Sequence, residues 1–309
     1  MDETIEHRDE TPQRVRLRRR WRLWLLLALA LLLAFGVWQE RERRSNEQVA
    51  AIIPPSTVPL PPAEAVRPTG VPAWVRYAVP APATDLPRIA IVIDGLGVDR
   101  AATERAIALP PAVTLSFVTY AADVSGQAMA ARQTGHELLL HLPMAPVSAT
   151  AAMGAYSLGR NMPRDELVQR LRWDMARFDA YVGVDNHMGT DFARAAPAMQ
   201  VVMSELKQRG LLYLDARAVP TEPVAVAARD LGVPYAARDI FLDGERAAVA
   251  VDARLAQVIA IAHQRGSAIA IGHPHDATLA ALARWLPTLK RHGVVLVPLT
   301  AVVKARGAT

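Results

Sequence analysis

The sequence predicts an α/β fold, a distorted or incomplete β/α barrel of seven or eight strands, and three observations carry that expectation. Short apolar runs recur across residues 88–299. Segments of helical period alternate with them. The runs are apolar on both faces, as strands must be in a parallel sheet covered by helices. A doubly wound open sheet is the alternative arrangement of the same elements.

The strand candidates are "RIAIVI" (88–93), "VTLSFV" (113–118), "ELLLHL" (137–142), "YVGVDN" (181–186), "LLYLDA" (211–216), "RDIFLD" (238–243), "AIAIGH" (268–273) and "VVLVPL" (294–299). The segment 163–178 reads as a helix, with Pro163 in the first turn and acids just after it. Segments 196–210, 252–266 and 276–293 read as helices that end on glycine. Pro287 should kink the last of them, because proline lacks the amide hydrogen and clashes with the preceding turn. Residues 143–162 show neither period, and a connection of that length suits a lid or a binding surface.

The barrel is expected over residues 88–309, after a basic tail (1–22), a transmembrane anchor (23–39) and a proline-rich spacer (40–87). Residues 23–38 contain no charge, and with their flanks they approach the ~20 residues that span a bilayer. Six arginines between Arg14 and Arg22 precede them, which orients the N-terminus inside. The expectation is a single-pass bacterial inner-membrane protein with a periplasmic C-terminal domain. A cleaved signal peptide is the alternative. Ten prolines between residues 45 and 87 exclude regular structure there and suit an extended spacer. Trp74 and Tyr77 in "AWVRYAV" interrupt it and suit packing onto the domain edge.

There is no cysteine, so neither a disulfide nor a thiolate ligand is available. The net charge of +5 is smaller than the arginine cluster alone, and no basic stripe interleaved with aromatics remains for nucleic acid. No G-x-S-x-G elbow, dinucleotide fingerprint or Walker-type loop is present.

Polar residues recur where strands end: Asp94, His141, Asp185, Asn186, His187, Asp215, Asp243 and His273. In a parallel barrel these ends converge on one face, where active sites sit. A single aspartate after a strand commonly caps the next helix, but six strand ends carrying such groups point to a shared site. Two histidines with a carboxylate can hold a divalent ion such as zinc. An aspartate can then take a proton from water, and a histidine can protonate the leaving group. His7, His263 and His292 carry no expected role, His136 suits packing, and His275 stays open.

From about residue 73 to 301 the chain resembles the divergent polysaccharide deacetylases, distant relatives of NodB-type carbohydrate esterases. The matching stretches are "RIAIVIDGLG", "GHELLLHLPM", "GVDNHMGT", "KQRGLLYLDAR" and "GSAIAIGHP". The resemblance implies a distorted barrel, a divalent metal and removal of acetyl groups from a cell-envelope polysaccharide. It implies Asp94 as general base, His141 and His187 at the metal, and His273 as general acid. Asp215 would orient its neighbours, and Asp185 and Asn186 would face substrate.

Two positions depart from the family pattern. Gly95 stands where a second aspartate is expected, and Ala145 where a histidine or glutamate is expected. Asp94, Asp185 or Asp191 would have to replace the lost ligands. Two functions therefore stand side by side: a metal-dependent deacetylase, and a glycan-binding or scaffolding relative without turnover. A phosphate-handling barrel is a third, and it lacks a glycine-rich loop.

Overall fold

The computed structural model describes residues 70–144, 157–189, 191–216 and 222–307. The expected anchor span 23–39, Ala145 and most of the 143–162 connection lie outside the described residues. No helix among the described residues is long and apolar enough to cross a membrane.

Short helix α1 (Ala73–Arg76) precedes the repeat. Then follow β1 (Arg88–Leu96), α2 (Arg100–Ile107), β2 (Thr114–Val118), α3 (Val124–Gln133) and β3 (Leu138–Met144). Next come α4 (Arg164–Met175), β4 (Gly183–Met188), α5 (Ala196–Arg209), β5 (Leu212–Asp215), α6 (Glu222–Leu231) and β6 (Tyr235–Ala237). The chain ends with β7 (Ile240–Phe241), α7 (Ala248–Arg265), β8 (Ser267–Gly272), α8 (Asp276–Trp285), β9 (Val295–Leu296) and α9 (Leu299–Ala305).

The sheet order is β6-β5-β4-β3-β2-β1-β8-β7, with β9 also paired to β1. Every strand pair among the described residues is parallel. The order runs from β1 to β6 without reversal, so the open doubly wound arrangement is ruled out. The two ends of the order are consecutive in the chain. Arg238 N donates to Asp215 O at 3.0 Å, and Asp239 N donates to Ile269 O at 2.9 Å. One extended segment thus pairs first with β5 and then with β8, and this change of partner closes the distorted barrel.

Two faces of each strand reach two cores. Ile89, Ile91 and Ile93 pack with the surrounding helices. Ala90 and Val92 join Leu139, Leu212, Leu214, Ile269 and Ile271 inside the barrel. Leu299, Val302 and Val303 of α9 fill the N-terminal end of that interior. Each such fully buried side chain contributes about 1.5–3 kcal/mol as an upper figure. Buried Glu137 fixes the plug, accepting from Thr300 N and Thr300 Oγ1 on α9 and from Val79 N on the segment before β1. Trp74 and Tyr77 pack against the same interior cluster, so the folded unit reaches back before residue 88.

Several elements differ from the sequence expectation. The segment 294–299 holds only a two-residue strand, because Pro298 opens α9. The segment 276–293 is helical to Trp285 and continues as a 3-10 helix (Leu286–His292) from Pro287's position onward. Helices α2, α3 and α6, of 8, 10 and 10 residues, carry no expectation from the pattern. Gly210 and Gly293 end their helices in the left-handed conformation, at φ 64° each.

Candidate active site

Side chains alternate along a strand, so the residues that follow the interior ones also point inward. Asp94 continues Ala90 and Val92. His141 continues Leu139, and His273 continues Ile269 and Ile271. These groups meet at the C-terminal end of the barrel. His141 and Asp185 are register partners on β3 and β4.

Two carboxylate–histidine pairs result. His141 Nδ1 donates to Asp185 Oδ2 at 2.9 Å, and the Ser116 hydroxyl donates to Asp185 Oδ1. His273 Nδ1 lies 3.1 Å from Asp243 Oδ1. Asp243 Oδ2 accepts from His273 N and Thr278 Oγ1, both at 2.7 Å. Asp185 and Asp243 are thus fully occupied. Asp94 differs from both: its Oδ1 is buried and has no hydrogen-bond partner. It lies 3.6 Å from His273 Nε2.

His141 Nε2 and His187 Nδ1 are 2.9 Å apart. Burial opposes charge on His141, but Asp185, through charge and hydrogen bond, more than offsets it and raises its pKa. Burial and then the facing His141 push His187 down to about 3. His187 is therefore held neutral. Burial also opposes charge on His273, yet Asp94 and Asp243 hold it at about 8. Burial raises Asp94, against the opposing pull of His273 and His141. Burial alone would raise Asp243, but its bonds from His273 and Thr278 bring it below the ordinary range.

The donor set fits a divalent ion. Nitrogens bound to one ion at ~2.0–2.1 Å lie about 3 Å apart, close to the His141–His187 separation. Asp185 holds the outer nitrogen of His141, the arrangement that orients a metal-binding histidine. The unpartnered oxygen of Asp94 supplies the negative charge such a cluster needs. Asp94, His141 and Asp185 form one group with ligand atoms within 4.8 Å of one another, and Asp243, His273 and His275 form a second.

The structure brings Asp94, His141, Asp185, His187 and His273 together. It sets three other sequence candidates apart. Asp215 continues the outward-facing Tyr213 and accepts from the Tyr235 hydroxyl at 3.0 Å. Asn186 faces away from Asp185; its Nδ2 donates to Met188 O and its Oδ1 accepts from Ala216 N, both at 2.8 Å. Its amide thus ties the ends of β4 and β5 together. Asp191 pairs with Arg160 at 2.7 Å. Gly95 adopts φ 72°. His136 is buried between Val113 O and Ile107 O, a packing role. Sequence reasoning gave no role to Ser116 or to Asp243. The strand-end position marked Asp243, but nothing in a strand-centre serine marked Ser116.

Comparison with known proteins gives the family. A model of the divergent polysaccharide deacetylase family matches residues 91–303. The uncharacterized protein YibQ of Escherichia coli K12 is 32% identical over 202 residues, covering 65% of this chain and 63% of that protein. An uncharacterized protein of Haemophilus influenzae Rd is 30% identical over 203 residues, covering 65% of this chain and 72% of its own length. The chain therefore spans less than two thirds of the E. coli relative. The crystal structure of an uncharacterized Agrobacterium tumefaciens C58 protein superposes with a TM-score of 0.74 at 30% identity, covering 75% of this chain and 96% of that one. With a family match across most of its barrel, the chain belongs to the divergent polysaccharide deacetylases.

Proposed function

We propose that the chain is a metal-dependent hydrolase that removes acetyl groups from a cell-envelope glycan. One observation carries this reading. Of the three buried carboxylates at the site, two orient histidines, and Asp94 alone has an oxygen without a donor. It sits where a base is needed, beside a histidine held as an acid.

His141 and His187 would hold the ion, zinc by donor type. When bound, it polarises a carbonyl and makes water more acidic. The chain's own groups do the proton work. Asp94 takes a proton from water as the water oxygen bonds to the acetyl carbon. His273, protonated at neutral pH, gives its Nε2 proton to the leaving nitrogen or oxygen as the bond to the acetyl carbon breaks. Acetate and the freed amine or hydroxyl depart. The proton on Asp94 then returns to His273 across the short gap between them. Asp243 fixes the His273 ring throughout. The expected anchor at residues 23–39, with the arginines before it, supports placing this domain outside the inner membrane.

A second reading, a glycan-binding domain without turnover, has one observation in its favour. Residue 95 is a glycine and contributes no side-chain ligand where the family pattern has a carboxylate. Metal content and acetate release by the full-length, untagged protein separate the two. Near-stoichiometric zinc, lost in a His141→Ala/His187→Ala double variant, with acetate released from N-acetylated oligosaccharides, supports the hydrolase. No metal uptake after reconstitution sinks it.

A further inference from the structure

Met188 and Ala180 are the two non-glycine residues at left-handed φ among the described residues. Ala180 lies before β4, at the other end of the barrel. Met188, at φ 57°, follows His187 directly. Such a conformation is unfavourable for a side chain of this kind and persists only where the surroundings impose it.

The surroundings impose it here. Asn186 Nδ2 grips Met188 O at 2.8 Å while Asn186 Oδ1 holds Ala216 N at 2.8 Å. Gly189 follows at φ 84°, so close to Met144 that a Cβ there would come within 2.9 Å of Met144 Cβ. The strain is not repaid by burying the methionine. Met188 is 42% exposed, one of the large apolar side chains on the surface. An apolar side chain held in a strained turn, next to a site histidine and facing solvent, serves the fold poorly.

Tyr120, at the end of β2, is the second observation. Its ring centroid lies 6.3 Å from that of His187, at 56° between planes. The ring is half-buried, and its hydroxyl has no hydrogen-bond partner among the described residues. The proton transfers proposed above use neither residue. The Tyr120 ring with its hydroxyl and the exposed Met188 thioether each adjoin His187, one through its ring and one as its chain neighbour, and groups of this kind suit a ligand that is apolar on one face and rich in hydroxyls at its edge. A pyranose ring has that character.

We infer that Tyr120 and Met188 form the seat for a sugar ring beside His187, and that selection of a glycan over a small acetamide resides there. This rests on the reading of the site as one that takes a glycan. The seat does not require that the site turn the glycan over.

The test is binding of an N-acetylated chito-oligosaccharide to the full-length protein by calorimetry, for the parent, Met188→Gly and Tyr120→Ala. Melting temperature, zinc content and acetate release are read alongside. Glycine accepts a left-handed φ freely, so Met188→Gly should keep or raise the melting temperature. Affinity should fall about tenfold in each variant, the effect of one lost contact, with zinc content unchanged. That pattern supports the seat, and it does so even if the parent releases no acetate, in which case the hydrolase reading falls alone. Equal affinity in all three proteins overturns the seat, and it does so even if the parent releases acetate. A parent that binds no oligosaccharide also overturns it.

Discussion

Asp94 Oδ1 lies 3.6 Å from His273 Nε2, across the paired ends of β1 and β8. Asp243 holds the other nitrogen of the same ring. His273 therefore sits between two carboxylates, one that orients it and one that exchanges protons with it. Hydrolysis should fall as pH rises through about 8, where His273 loses its proton. The acid limb should reflect Asp94, raised first by burial. His273→Gln should cost about 10²- to 10⁴-fold in rate and remove the alkaline limb. The stability that His273 gains from its partners is complete below its ordinary value of 6.5 and is lost as pH rises through about 8. A pH–rate profile with matched melting curves checks both. An alkaline limb that survives the substitution excludes His273 as the acid.

Asp185 offers both oxygens to neighbours, one to His141 and one to Ser116. An asparagine can present one acceptor oxygen and must aim its NH₂ at a donor. Asp185→Asn should lower zinc affinity about 10- to 100-fold, as loss of a partner behind a metal ligand does. Ser116→Ala should act in the same direction and less strongly. Competition with a chromophoric chelator measures both. Unchanged affinity in Asp185→Asn would show that His141 needs no such support.

Gly95 leaves room for a side chain. A Cβ built there meets His273 Cδ2 at 3.5 Å, an ordinary contact. The backbone is left-handed, which aspartate tolerates better than most residues. Gly95→Asp should raise zinc affinity by adding a carboxylate near the histidines. The cost in stability should be about 1 kcal/mol, a fall of about 2–4 °C in melting temperature for a domain of this size. Weaker zinc binding in the variant would show that the carboxylate points away from the ion.

Asp174 on α4 is fully buried, and neither carboxylate oxygen has a well-formed hydrogen bond. Burial raises its pKa well above the ordinary 3.8, and the neighbouring Thr119 hydroxyl only partly offsets this. The shift has the same sign as that of His273, because the proton is again held more tightly by the folded state. Stability is undiminished below 3.8 and is lost as pH rises from there to the folded value. Asp174→Asn removes the proton and therefore the loss. The variant should match the parent near pH 3.5 and melt higher at pH 8. A parent whose melting temperature does not fall relative to the variant over that range would show that Asp174 stays ionised.

Much of the architecture was legible in the residues. Apolar runs on both faces require a sheet covered on both sides, and their alternation with helical segments makes that sheet parallel. Parallel strands place all their C-terminal ends on one face, so Asp94, His141, His187 and His273 could be grouped before any contact was known. Glycines at helix ends were legible for a local reason: only a residue without a Cβ takes left-handed φ at no cost. The strand at Ile240–Phe241 fell within an expected run, but Tyr235–Ala237 and its continuity with that strand were not legible in this way. The exchange of partners at Arg238 and Asp239 depends on hydrogen bonds to β5 and β8, which are distant in sequence.

The sequence by itself determined which strand ends carry ionisable groups, because residue type and a period of two are local properties. Only the tertiary structure decided which of them meet. Asp185 and Asn186 are adjacent and equally polar, yet one orients His141 inside the barrel and the other ties backbone outside it. The register of β4 against β3 makes that choice. A slip of one residue would exchange their faces and would turn the buried Val184 away from the cluster it packs in beneath the helices, which holds the register in place.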